Sequence, residues 1–299
     1  MAILINETTE VMVQGITGRE AQLRVELMRS YGTKVVAGVT PGKGGQEVMG
    51  VPVYDTVEEA VERHPNISAT CIFVPAKVAK HAALEAIDAG IKVISLHPER
   101  VPQQDMLEII AYSRGKDVTV IGPNTIGVIS PGKALIGMIG GNVDFARQCF
   151  RPGRIGVLSR SGGNTTTLSY YLTKAGFGQS TAVSVGGDAF IGATWRDLLA
   201  LFEKDPETDA VAVFGEIGTT TEEDAAEFIK QGGFTKPMVA YIAGRYARPN
   251  MRFGHAGAII SRGTGAAQGK IEALKSAGVY VVDHFGDIGE ALKTALSRH

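Results

Sequence analysis

At 299 residues the chain is long enough for two domains of ordinary size, each with its own core. Hydrophobic residues make up 44% and charged residues 20%, and a formal net charge of −1 excludes the basic footprint of a nucleic-acid binder. No apolar stretch approaches the roughly 20 residues of a membrane span, the start lacks the basic and apolar regions of a secretory signal, and Cys71 and Cys149 show no metal-ligand spacing, so a cytoplasmic protein that meets neither membrane nor nucleic acid is expected.

Taken in chain order, Val- and Ile-rich runs at 11–14, 34–39, 70–74, 92–96 and 118–121 predict strands. Amphipathic segments at 20–30, 77–89 and 103–114 predict helices between most of them. Alternation of this kind argues for an α/β fold with a parallel sheet covered on both faces. Cys71 falls inside an apolar run and is expected as a buried core thiol. The stretch 125–153 holds Pro131, Pro152 and several glycines and breaks the rhythm. It is predicted as an inter-domain crossing, which leaves a first domain at 1–124 and a second at 154–299. The rhythm then resumes, with strands predicted at 154–158, 181–185, 210–214, 237–242 and 280–282. Helices are predicted at 165–175, 195–203, 221–231, 266–277 and 287–297. The halves repeat an architecture but no close sequence.

Motifs sit at the predicted strand ends. Gly15-Ile16-Thr17-Gly18-Arg19-Glu20-Ala21 is a glycine-rich strand-to-helix turn, which exposes backbone N–H groups and a helix N-terminus to phosphate. A site for a dinucleotide with a free ribose 2′-hydroxyl places an acid after the next strand. Here that strand runs into Thr40-Pro41-Gly42-Lys43-Gly44-Gly45 instead. A lysine in place of the acid suits a phosphorylated ribose, as in coenzyme A or a 2′-phosphorylated dinucleotide, or is simply a solvated loop residue. The glycine spacing is wrong for a Walker loop.

In the second half, Ser159-Arg160-Ser161-Gly162-Gly163-Asn164 and Ser184-Val185-Gly186-Gly187-Asp188 place small polar residues at strand ends, more than helix capping needs. Glu216 closes the strand at 210–214 and extends it to the edge where open parallel sheets bind ligands. It either orients an imidazole or caps the next helix, a task already supplied by Glu222, Glu223 and Asp224. His255 lies in Gly254-His255-Ala256-Gly257, a bare loop with little packing value. Neutral imidazole is a nitrogen nucleophile that can carry a covalent group, although a loop histidine also commonly bonds only its own turn.

These motifs, with Gly122-Pro123-Asn124, occur in an order and combination that resembles the alpha subunit of succinyl-CoA synthetase (succinate–CoA ligase) over nearly the whole chain. The resemblance implies a Rossmann-type CoA-binding domain followed by a flavodoxin-like ligase domain. It implies that His255 is the phosphorylated histidine, that Glu216 is its carboxylate partner, and that Ser161, Gly162 and Gly163 bind the phosphate. It implies coenzyme A contacts at Thr17, Gly18, Arg19, Glu20, Ala21, Lys43, Val74, Pro75, Ala76 and Glu99. It further implies a beta subunit with an ATP-grasp domain that binds ATP or GTP with Mg2+, and a small carboxylate as substrate. The chain departs from the family pattern where Ala21 replaces a third glycine, where Thr125-Ile126-Gly127 replaces Cys-Pro-Gly, and where Gly163 to Thr167 replaces a run ending in glutamate. The last departure makes Asn164, Thr165 and Thr167 candidate substrate residues, and leaves citrate or malate as alternatives to succinate. A non-catalytic CoA-binding or sensing module is the alternative of another class; it has no need for His255 or Glu216.

Overall fold

A computed structural model describes residues 2–247, 254–260 and 265–298. Met1 and His299, the outer ends of the two predicted domains, lie outside the described residues. The first half runs β1 (Glu10–Gln14), α1 (Arg19–Tyr31), β2 (Lys34–Val39), β3 (Glu47–Val48), β4 (Val51–Tyr54), α2 (Val57–Arg63), β5 (Ile67–Ile72), α3 (Ala79–Asp88), β6 (Val93–Leu96), α4 (Gln103–Arg114) and β7 (Thr119–Ile121). The rest runs β8 (Gly127–Ser130), β9 (Ala134–Gly137), α5 (Val143–Cys149), β10 (Pro152–Ser159), α6 (Gly162–Lys174), β11 (Gln179–Ser184), α7 (Trp195–Lys204), β12 (Ala210–Glu216), α8 (Thr221–Lys230), β13 (Met238–Ala243), α9 (Ala267–Ser276), β14 (Tyr280–Val282) and α10 (Ile288–Leu296).

Two sheets result. The first has the order β3-β4-β2-β1-β5-β6-β7 and is parallel except for the β3–β4 pair. The second has the order β14-β13-β12-β10-β11-β8-β9, parallel as far as β11 and antiparallel beyond it. Burial explains the sequence pattern. Strands β11 and β12 are buried at every position, as strands covered on both faces must be; β12 accordingly opens on the apolar run Ala210 to Phe214 rather than an alternation, whereas β11 buries Gln179, Ser180, Thr181 and Ser184 as well. Strand order reverses at β1 in one sheet and at β10 in the other, and the crevices beyond such points are where open α/β sheets hold ligands. The turns after β1 and β10 are the two small-residue motifs.

The stretch 125–153 is more ordered than a crossing. It forms the β8–β9 hairpin, which extends the second sheet, and helix α5. Its glycines hide the strands because they serve the hairpin: Gly127 and Gly137 face each other across it. The hairpin also joins the halves. The Thr33 hydroxyl donates to Leu135 O at 2.7 Å and accepts from Leu135 N at 2.9 Å, and Ser130 Oγ donates to Ile5 O at 2.8 Å. A single apolar cluster runs through Val11 and Met28 of the first half to Ile136, Val157 and Val213. No helix among the described residues is long and apolar enough to cross a membrane.

Candidate active site

The C-terminal edge of the second sheet assembles the reactive group. Strand β12 delivers Glu216 as its last residue. The loop 254–260 brings His255 against it, with Nδ1 at 2.9 Å from both Oε1 and Oε2 of Glu216. Since a carboxylate only accepts, Nδ1 carries the proton and Nε2 keeps its lone pair. The Glu216 carboxylate pushes the His255 pKa above the ordinary histidine value; burial and the Arg160 charge oppose it without reversing it. The imidazole is half-buried, whereas the Glu216 side chain is 11% exposed, so the carboxylate sits behind the ring and the ring faces outward.

Glycine is required where the histidine docks. A Cβ on Gly187, just after β11, would stand 2.6 Å from His255 Cδ2. Gly187 O also accepts from Gly257 N at 3.1 Å, which ties the histidine loop to the β11 turn. The neighbouring Asp188 is buried and reaches into the first half: its carboxylate accepts from Arg100 N at 3.0 Å and from Asn124 Nδ2 at 3.1 Å. Arg160, from the turn after β10, is 1% exposed and is a member of this site that the motif reading passed over. It donates to Asp188 O, to Gly218 O and to Thr219 Oγ1, and its Nη1 lies 3.8 Å from Glu216 Oε1. An arginine inside a small-residue turn is the signal that was available, because so long a side chain needs acceptors somewhere.

Ser161 caps α6, accepting from Asn164 N and Asn164 Nδ2. A Cβ on Gly163 would meet nothing within 4 Å, so this helix start is open. The three candidate substrate residues part company here. Thr165 is fully buried and its hydroxyl donates to Ser161 O at 2.8 Å. Asn164 is engaged in the cap. Thr167 alone lines open space, a cavity of about 660 Å³ between α1, α5 and α6 that also carries Arg24, Asn142, Phe145 and Tyr170. No acid among the described residues lines that cavity.

In the first sheet, Thr17, Gly18, Arg19 and Glu20 form the exposed turn after β1, while Ala21 is buried under it. Gly18 begins α1 with no side-chain cap, so the first-turn N–H groups are left for a ligand, and a phosphate fits them. Thr17 Oγ1 donates to Thr40 Oγ1 at 3.3 Å, joining this turn to the Thr40–Lys43 loop, where Lys43 is exposed. Val74, Pro75 and Ala76 follow β5 and Glu99 follows β6, all on the same sheet edge. The donor set suits a phosphorylated nucleotide: one uncapped helix and the cations Arg19 and Lys43, with Thr40 to Gly45 rather than an acid directly after β2, although the Asp55 carboxylate holds the far side of that loop by accepting from Gly44 N at 2.9 Å.

Comparison with known proteins extends over the whole chain. Residues 6–99 match the CoA binding domain model and residues 158–280 the CoA-ligase model. The succinate–CoA ligase [ADP-forming] subunit alpha of Aquifex aeolicus is 48% identical, with 99% of this chain and 95% of that one covered. The ADP-forming sulfoacetate–CoA ligase subunit SqwL of an Acholeplasma species is 44% identical, covering 98% of each. Among solved structures, the Methanosaeta concilii ATP citrate lyase (D541A mutant) in complex with (3S)-citryl-CoA has a TM-score of 0.91 at 26% identity. It covers 99% of this chain and 51% of its own, so this chain spans about half the lyase.

Proposed function

The chain belongs to the succinate–CoA ligase alpha-subunit family, and from that premise we propose that it works with a partner subunit as a nucleoside-diphosphate-forming carboxylate–CoA ligase in which His255 carries the phosphoryl group. The contact of His255 Nδ1 with both oxygens of Glu216 supports this reading above all else. It fixes the tautomer whose Nε2 attacks phosphorus, and it places a negative charge where imidazole becomes positive on accepting the group. A binding or sensing module has no use for such a pair.

The residues then divide the work. An ATP-grasp partner binds ATP or GTP with Mg2+ and presents the terminal phosphoryl group. His255 Nε2 takes it as the nucleoside diphosphate leaves, and passes it to a carboxylate oxygen of the substrate. The open start of α6 at Ser161, Gly162 and Gly163 stabilises the phosphate charge. Thr17 to Ala21, Lys43, Val74 to Ala76 and Glu99 hold coenzyme A, and Lys43 meets a phosphate. When bound, coenzyme A supplies the thiol that attacks the acyl carbon and expels inorganic phosphate. The domains divide at 124 and 154, with the hairpin between them belonging to the ligase sheet, and the protein works in the cytoplasm. Succinate is the favoured acid, with citrate and malate behind it.

The test is acid-labile phosphate on the chain, mapped by mass spectrometry after incubation with the partner subunit, ATP and Mg2+. The label belongs on His255 and disappears in His255→Asn, while the circular dichroism spectrum stays that of the wild type. A label on another residue, or turnover by His255→Asn, removes His255 from the reaction.

A further inference from the structure

Behind Glu216 lies a second charged cluster, in which Glu222 and Glu223, read from the sequence only as acids at a helix start, meet Lys270. Lys270, on α9, and Glu222, on α8, are both 0% exposed. The Lys270 ammonium donates to Glu222 Oε2 at 2.6 Å, to Glu223 Oε2 at 2.8 Å and to Thr219 O at 3.0 Å, which uses all of its donors. The other oxygen of Glu222 accepts the backbone N–H of Glu216 at 3.1 Å. The chain is built to let it approach: a Cβ on Gly215 would stand 2.8 Å from Glu222 Oε1.

We propose that Glu222 and Lys270 are positioning residues for phosphoryl transfer, clamping the 216–219 turn at its two ends so that the Glu216 carboxylate stays under His255. Glu222 grips the turn through Glu216 N–H, and Lys270 grips it through Thr219 O. Thr219 has a φ of +52° and accepts from Arg160 through its hydroxyl, so the same clamp sets the cation 3.8 Å from Glu216. The energetics favour a geometric role. A buried ion pair usually adds no more stability than an apolar pair of equal size, because desolvating two charges offsets their attraction. Leucine and methionine would pack α8 against α9 at least as well. What they would lack is a fixed acceptor for Glu216 N–H and a fixed donor for Thr219 O.

This inference rests on the reading of His255 as the phosphorylated residue, and the experiment keeps the two apart. Glu222→Gln supplies one oxygen and one NH2 in place of two oxygens, so Lys270 or Glu216 N–H must lose its acceptor. Lys270 stays bonded to Glu223, which protects the fold. Asp224→Asn is the control: it removes a charge from the same turn of α8, where Asp224 accepts from the exposed Thr220 hydroxyl at 3.1 Å. Three quantities are measured on the full chain: the His255 titration by NMR, the rate of His255 phosphorylation with the partner subunit and ATP, and KM for coenzyme A. In Glu222→Gln the rate falls about tenfold, the size typical of losing an orienting contact behind a reacting group. The His255 midpoint drops toward the ordinary value among the charges that surround it (Glu216, Arg160 and Asp188), and KM stays unchanged. Asp224→Asn matches the wild type in all three. If Glu222→Gln unfolds, the double variant Glu222→Met/Lys270→Met, which removes both buried charges together, is read in the same way. Equal rates and equal titrations in the Glu222 variant and the control overturn the inference. Absence of phosphate on wild-type His255 overturns the functional reading instead, and leaves the titration to judge the clamp.

Discussion

His255 needs its Nε2 lone pair to attack phosphorus, yet the carboxylate that orients it also makes it a stronger base. The Glu216 contact raises its pKa, so at neutral pH part of the population is protonated and unreactive. The rate of phosphorylation therefore rises as pH climbs through the raised value and then levels. Glu216→Gln removes the cause of the shift, so the midpoint moves down while the plateau falls by a factor on the order of 10² or more. Rapid-quench labelling from pH 5.5 to 8.5, about the range over which a histidine titrates, reads both effects; a midpoint that stays put excludes Glu216 as its source. Stability follows the same sign. A histidine whose pKa is raised on folding contributes fully below its unfolded value, and the contribution is lost as pH rises through the folded one.

Helix α6 serves two places. Its start at Ser161 and Gly163 is open, the place proposed for the phosphate, while Thr166, Thr167 and Tyr170 line the cavity of about 660 Å³ against α1 and α5. Arg24 is the cation in that lining, and its ion-pair partner Glu20 lies 3.0 Å away with a side chain 71% exposed. Among the described residues the lining carries that one positive charge, already paired with Glu20, and no carboxylate. Thr167→Glu restores the acid that the family pattern carries. If the cavity takes the distal carboxylate of the substrate, this variant raises KM for dicarboxylates by about tenfold or more through like-charge repulsion, and reorders succinate, malate and citrate. Steady-state assays of the three acids with the partner subunit decide it. An unchanged ranking places acid selection outside α6. His97 illustrates an element-level effect that no motif announces. It replaces a solvated group with a buried ring stacked on Phe73 at 4.2 Å, its Nδ1 donates to Thr125 O at 3.0 Å, and burial lowers its pKa to about 4.

The two sheets act as one body because the β8–β9 hairpin faces both. Thr33 is the joint: its buried hydroxyl both donates to and accepts from Leu135. Thr33→Val keeps the shape but leaves a buried N–H and a buried C=O without that partner, which costs about 1–3 kcal/mol. Urea unfolding followed by far-UV circular dichroism and by Trp195 fluorescence is expected to show the two signals moving to lower midpoint together, since Trp195 lies in the common core. A loss confined to the first sheet would show that the halves unfold separately.

The sequence by itself determined the strand-and-helix alternation, the small-residue turns at the strand ends, and His255 and Glu216 as a candidate pair. Most buried parallel strands read as Val- and Ile-rich runs, and the turns read as glycine and small polar clusters, so each signal is local. The hairpin at 127–137 was not legible, because its strands are four residues long and a facing pair of glycines, Gly127 and Gly137, closes one end of the pairing. Thr165 looked equivalent to Thr167, and only helical phase turns one inward and the other toward a cavity. Arg160, Glu222 and Lys270 were invisible as site residues for a related reason. Arg160 and Lys270 meet partners 28 to 58 positions away, as in Arg160 to Asp188 and Gly218 or Lys270 to Glu222, and Glu222 meets Glu216 N–H only because the turn between them folds back. A charge in a chain reads as solvated until packing removes the water. Only the tertiary structure decides which charges lose it, and those are the ones whose geometry then matters.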